Sequence, residues 1–305
     1  MESLSAGWKT KNETGAGRVL ALALCLLASP SWAASDSWTV SLAPTQVFQG
    51  GIVKITVSGE DLEEIGGFLQ NRSIAFFPVQ AGVYFALLGV DLEQKPGPLE
   101  ITVRSKSKDK EKWERPVLLR IKKKAFAREE LAVPPSFDRI DEATRKRIEK
   151  EQETLDRLWA RATPRRLWDG GFLQPLPGGI SSPFGLRRPR SPHGGVDLKA
   201  SLGADVRAAN HGRVVLREEF FFSGKSIVLD HGAGLFTMYF HLSDFAVEQE
   251  GLVRKGDVIG WAGMSGRVTG PHLHWGARLN GARVDPFELL SAGEVRPSAD
   301  VGVGR

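Results

Sequence analysis

Between residues 38 and 124, short runs of strand-forming residues recur, at 39–42, 52–58, 74–79, 83–88, 99–104 and 117–121. Successive side chains of an extended chain point to opposite faces, so such runs predict half-buried strands. Turn-forming residues punctuate them: Gly50-Gly51, Ser58-Gly59, Gly66-Gly67 and Lys95-Pro96-Gly97-Pro98. Short strands at this spacing predict a β-sandwich-like N-terminal domain over residues 34–127. No ionisable cluster with ligand or catalytic spacing falls in it, so it reads as a packing or positioning module.

After Pro134-Pro135 the period changes. Residues 138–162 are rich in charge, with Ile140, Ile148, Leu155, Leu158 and Trp159 forming a narrow apolar stripe. This predicts a linker at 128–166 containing an amphipathic helix, packed through its C-terminal end and stopped by Pro164. Strand-like runs return at 213–217, 226–230, 236–240, 257–262 and 273–279, which predicts an antiparallel β domain over 167–292 with a helical turn at 286–290. Residues 293–305 read as a disordered tail. The expected fold class is therefore mostly β, with two β domains joined by a helical linker.

Lys9, Lys11 and Arg18 precede the apolar run 19–28, and Pro30 and Ser31-Trp32-Ala33 follow it. That pattern predicts a signal peptide at 1–33, cleaved after Ala33, and export to the periplasm or cell envelope. The single cysteine, Cys25, lies inside the run, and Leu24 before it argues against lipid attachment. The exported chain then has no thiol, which excludes both a disulfide framework and thiolate chemistry. A net charge of +5 is modest. The basic blocks at 106–112 and 120–128 lack interleaved aromatics, so they read as solvated faces and no nucleic-acid partner is expected.

All six histidines lie between His193 and His274. In His272-Leu273-His274 both imidazoles share one strand face, so one can bind a metal while its neighbour works on substrate. His193 and Asp197 are an even four positions apart across two glycines, which again places them on one face of an extended segment. Two His and one Asp with a fourth position left for water is a catalytic zinc donor set. The chain has neither an H-E-x-x-H helix nor a G-x-S-x-G elbow, which sets aside the common zincin and serine-hydrolase patterns. His231 and His211, each beside a glycine, read as turn residues.

These motifs, together with Ser182-Pro183-Phe184-Gly185, Asp230-His231-Gly232, Tyr239-Phe240-His241-Leu242-Ser243, Lys255-Gly256-Asp257, the run from Ser265 to Trp275 and Val284-Asp285-Pro286, resemble the lysostaphin/LytM-type zinc metallopeptidases. That family cuts peptide cross-links of bacterial peptidoglycan, and the resemblance spans residues 175–290. The β-rich segment before it is similar to the N-terminal domain of one branch of the family. The resemblance implies a duplicated-hybrid-motif-like antiparallel sheet with a groove on one face, and one Zn2+ per chain held by His193, Asp197 and His274. It implies that His272 and His241 lie near the metal-bound water; His272 is the candidate general base, His241 either bonds the developing oxyanion or assists the proton transfer, and the division of the two roles stays open. It further implies an exported endopeptidase acting on peptidoglycan stem peptides. The alternative is a non-catalytic activator or wall-binding module for a separate amidase, and an envelope protein partner for the N-terminal domain is a further expectation. The segment 186–192 is short for this branch. Its arginines, Arg187, Arg188 and Arg190, read as solvated, or as partners for substrate carboxylates.

Overall fold

The computed structural model describes residues 38–60, 62–70, 72–107, 112–129, 140–160, 163–188 and 191–292. The leader expected at 1–33, with Cys25, and the tail expected at 293–305 lie outside the described residues. The N-terminal lobe contains β1 (Trp38–Ala43), β2 (Gln46–Phe48), β3 (Ile52–Gly59), β4 (Leu62–Leu69), β5 (Arg72–Ala75), β6 (Phe77–Gln80), β7 (Val83–Gly89), β8 (Gly97–Ser107) and β9 (Lys112–Lys122). They form two sheets, ordered β1-β3-β7-β6 and β2-β9-β8-β4-β5, antiparallel throughout except for the short β2–β9 pair. Val53, Ile55, Leu88, Ile101, Val103 and Leu119 share the buried cluster formed by the two sheets.

Two details differ from the pattern read along the sequence. The run 74–79 is not one strand: it breaks at Phe76, and its halves β5 and β6 belong to different sheets. Gly66-Gly67 is not a turn but the middle of β4, paired with Ile74 and Ala75. A Cβ on Gly67 would stand 2.9 Å from the Phe76 ring, so glycine is what lets the crossing chain come this close.

The C-terminal part follows as α1 (Glu142–Trp159), β10 (Ile180–Ser182), β11 (Gly195–Lys199), β12 (Asp205–Arg207), β13 (Gly212–Phe220), β14 (Gly224–Gly232), β15 (Leu235–Phe245), β16 (Leu252–Val253), β17 (Val258–Ala262), β18 (His272–Leu279), β19 (Ala282–Val284) and α2 (Leu289–Ala292). Its main sheet is ordered β10-β11-β18-β15-β14-β13-β16, with β17 on β15 and β19 on β18. Helix α1 is capped by Asp141, whose carboxylate accepts from the Thr144 amide at 2.7 Å. It lays Leu155, Leu158 and Trp159 against Leu216, Val228 and Phe236. One face of the β11-β18-β15 strip, the face met by α1, also bears Asp197, His274 and Phe240, while Val196, Leu198, Leu273, Trp275 and Tyr239 point the other way into the core.

The two lobes share that core. On β7, Ala86 and Leu88 pack inside the sandwich, whereas Phe85 and Leu87 join Val196, Leu198 and Trp275. A strand buried on both faces reads as continuous apolar sequence, which is why 83–88 lacks strict alternation. At the rim of this contact the Arg283 guanidinium donates to both Asp91 oxygens, at 2.9 and 3.2 Å, and the Arg283 amide adds a third bond at 2.8 Å. Burial acts to raise the Asp91 carboxyl, but these bonds outweigh it and hold the group below the usual carboxylate range. Because the pair is a quarter exposed, Asp91→Ala is expected to cost about 2 kcal/mol rather than the full penalty of a buried pair. Urea unfolding of the variant checks this, and an unchanged midpoint would refute it.

Candidate metal centre

The register of β11 on β18 puts Asp197 directly opposite His274 and Lys199 opposite His272. His193 precedes β11, and its Nδ1 bonds to the Pro183 carbonyl at 3.0 Å. A carbonyl can only accept, so Nδ1 carries the proton and the Nε2 lone pair is left facing the site. His193 Nε2, Asp197 Oδ1 and His274 Nδ1 then form a nearly equilateral triangle with edges of 3.0, 2.9 and 3.0 Å. Two imidazole lone pairs and a carboxylate oxygen aimed at one point repel one another unless a cation or proton lies among them. Tetrahedral zinc with ligand bonds of about 2.0 Å requires edges of about 3.3 Å, so the donor set and its spacing fit the ion. Among the described residues this is the one such group of three.

The sequence around these donors is fitted to them. A Cβ on Gly195 would stand 2.7 Å from His274 Nε2 and 2.5 Å from the Trp275 carbonyl, so only glycine is accommodated there. Phe240 stacks on the His274 ring at 5.3 Å with planes 6° apart. Burial would raise the Asp197 carboxyl, but the adjoining His193 and His274 imidazoles outweigh it and hold the group far below the carboxylate range. Burial also lowers His274.

His272 lies two residues from His274 on the same face, with Nε2 3.8 Å from Asp197 Oδ1, and its Nδ1 bonds to the Gly270 carbonyl at 2.8 Å. His241 completes the cluster, its ring 4.9 Å from that of His272. By simple alternation along β15, His241 should point into the core between Phe240 and Leu242. Instead the pairing with β14 skips between Lys225 and Ile227, and His241 takes a left-handed φ of 65°. This bulge re-aims the ring onto the face that bears His272 and His274. The Ser265 carbonyl takes its Nδ1 proton at 2.9 Å, and burial lowers its pKa to about 3.

The remaining histidines lie apart from the cluster. His211 is half-buried, and its Nδ1 accepts from the Lys255 amide at 3.2 Å. His231 is a wholly buried strand residue rather than a turn residue, bonded to the His211 carbonyl at 2.6 Å and to Thr237 Oγ1 at 2.7 Å. Arg188 is not a freely solvated side chain. Its Nη2 donates to Ser182 Oγ at 2.8 Å and to Asp197 Oδ2 at 3.3 Å. Spacing and composition mark neither Arg188, Ser182 nor Phe240; Ser182 and Phe240 lie in motifs that carry the resemblance, as Gly195 lies inside His193-Gly-Gly-Val-Asp197.

Residues 191–286 match the family model described as Peptidase family M23. This chain carries an M23 peptidase domain. The match extends to the DD-carboxypeptidase/endopeptidase Mpg of Neisseria meningitidis, 43% identical over 127 residues, covering 39% of this chain and 29% of that protein. The peptidoglycan DD-endopeptidase ShyA of Vibrio cholerae is 37% identical over 115 residues, covering 36% of this chain and 27% of that protein. The matched part thus spans less than a third of the length of either relative. A crystal structure of an M23 peptidase from Pseudomonas aeruginosa superposes with a TM-score of 0.63 at 29% identity, over 80% of this chain and 95% of that one. Its extent takes in more of the chain than the M23 domain alone.

Two outcomes are expected. Gly195→Ala, which pushes the His274 ring off the triangle, lowers zinc affinity at least about tenfold in a chelator competition, and unchanged affinity would contradict the packing described. Burial lowers the His231 pKa to about 4, against about 6.5 when unfolded. The unfolded chain therefore takes up the proton first, so the stability that neutral His231 contributes is full above pH 6.5 and is lost as pH falls toward 4. The loss amounts to about 3 kcal/mol. Urea midpoints compared at pH 7 and pH 5 should show this slope in the parent and a flatter one in His231→Gln.

Proposed function

We propose that the M23 domain is a zinc-dependent endopeptidase that hydrolyses peptide cross-links of bacterial peptidoglycan, acting in the periplasm or cell envelope. The observation that carries this reading is the 2.9–3.0 Å triangle of His193, Asp197 and His274, with two more imidazoles beside it. Zinc, when held there, would lower the pKa of a water and polarise a scissile carbonyl. The relatives named as DD-endopeptidases support a D-alanyl linkage of the stem peptides as the bond cut.

His272 and His241 both give their Nδ1 protons to backbone carbonyls, those of Gly270 and Ser265, so each presents an accepting Nε2 to the site. This favours proton acceptance over oxyanion donation for both in their resting state. His272, nearer to Asp197, takes the proton of the attacking water and returns it to the leaving amine. His241, held neutral by burial, stands next to it as the relay. All five positions of the cluster are present, whereas a non-catalytic activator needs none of them. The export reading rests on residues 1–33, and no described helix is long and apolar enough to cross a membrane.

The test is mass spectrometry of fragments released from bacterial sacculi by the zinc-loaded protein. Cross-linked dimers should become monomers, with the new terminus naming the bond. A chelator should abolish release, and His272→Ala should slow it by about 10²–10⁴-fold. A zinc-bound parent that releases nothing would sink the endopeptidase reading.

A further inference from the structure

Asp197 has two carboxylate oxygens, and the two have different partners. Oδ1 forms the triangle with His193 and His274. Oδ2 receives Arg188 Nη2 at 3.3 Å, and the same nitrogen donates to Ser182 Oγ at 2.8 Å. Ser182 sits opposite Asp197 in the β10–β11 register, so the guanidinium bridges a cross-strand pair beside the metal triangle. Its side chain is 27% exposed, and its Nε lies 3.9 Å from Glu129 Oε2.

The backbone that carries Arg188 is held from two sides. Inside the loop, the Gly185 amide donates to the His193 carbonyl at 2.8 Å and the His193 amide to the Leu186 carbonyl at 2.9 Å. From outside, the segment that leaves β9 runs alongside it as a parallel bridge between Arg128 and Arg187. The Arg187 amide donates to the Ala127 carbonyl at 2.8 Å, and the Glu129 amide to the Arg187 carbonyl at 3.0 Å. Phe126 lies so close over Gly185 that a Cβ there would come within 2.1 Å of its ring. The strap 126–129 is continuous with the last strand of the sandwich.

We infer that Arg188 is a positioning residue that fixes the carboxylate of Asp197, and that the strap 126–129 holds Arg188 in place, so that the N-terminal lobe helps set the affinity of the metal centre. The inference rests on the zinc reading of His193, Asp197 and His274. A free carboxylate rotates and can offer a metal either oxygen or both. A charge-assisted hydrogen bond to Oδ2 ties down that oxygen and presents Oδ1 alone to the triangle. Loss of such an outer partner typically costs 10–100-fold in metal affinity.

The experiment measures the zinc Kd of the full chain by competition with a fluorescent chelator, alongside thermal unfolding of the metal-free protein. Arg188→Gln should bind zinc about 10–100-fold more weakly with the metal-free unfolding temperature unchanged, and Arg188→Lys should recover part of the loss through its charged ammonium. Phe126→Ala, which touches no ligand, should weaken zinc in the same direction. An Arg188→Gln affinity within about threefold of the parent overturns the inference. Unaltered zinc affinity with a raised KM on sacculi also overturns it, by making Arg188 a substrate contact. A parent chain that binds no zinc would instead overturn the zinc reading, and this inference with it.

Discussion

The pairing of Asp197 with His274 across β11 and β18 is the constraint on which the site depends. Strand side chains alternate with a period of two, so a slip of one residue would send Asp197 to the core and bring Leu198 to the histidine-bearing face. What forbids the slip lies on the other side of the sheet. Val196, Leu198, Leu273 and Trp275 are all at most 1% exposed, and a slipped register would put these apolar groups in water. At about 2 kcal/mol for each such side chain, the hydrophobic core fixes the geometry of the His193, Asp197 and His274 triangle far more firmly than the hydrogen bonds of the site could. The donors converge at 2.9–3.0 Å because the apolar residues between them have no other place to go.

The features that period-two reasoning can see were legible in the sequence. The H-x-H pair rests on strand alternation, and β18 sets His272 and His274 on one face with Asp197 of β11 beside them; His193 reaches the same point from the irregular segment before β11 rather than by alternation. His241 was not legible in this way. In a regular strand it would point inward, and only the bulge at Lys225–Ile227, with the left-handed φ, turns it out. The resemblance to known peptidases singled it out; the pattern alone could not. The contact of Arg188 with Asp197 was not legible either, for a different reason. Asp197 lies nine residues on, and the contact depends on a loop path that no local period encodes. In the N-terminal lobe the strands were readable, but the change of sheet at Phe76 was not, because residues 74–79 are apolar throughout and nothing in the run marks the break.

The cluster stores local cost. His241 in a left-handed conformation costs on the order of 1–2 kcal/mol for a residue with a Cβ, and three converging electron pairs add electrostatic repulsion in the metal-free state. Such features persist only where the surroundings overdetermine them. Here they do so: the His241 amide donates to the Ser223 carbonyl, its ring to the Ser265 carbonyl, and Ser265 Oγ in turn to the Leu242 carbonyl at 2.7 Å. Each imidazole of the cluster other than His274 spends its far nitrogen on a backbone carbonyl, which fixes ring plane and tautomer together.

The same logic bears on why the sandwich is fused to the peptidase domain. A module that only tethers an enzyme to a polymer works best on a flexible linker and needs no common core. Here β7 spends one face on each lobe, Gly89 comes so close that a Cβ would stand 2.6 Å from the Leu279 carbonyl, and Arg283 clasps Asp91 across the contact. β18, which carries His272 and His274, ends at Leu279, so the lobe's contact lies at the far end of the strand that bears the donors. A rigid contact there restrains the register that aligns Asp197 with His274, and the strap at 126–129 restrains the opposite wall. Positioning of the site, rather than loose tethering, is the role that this shared core favours for the N-terminal lobe.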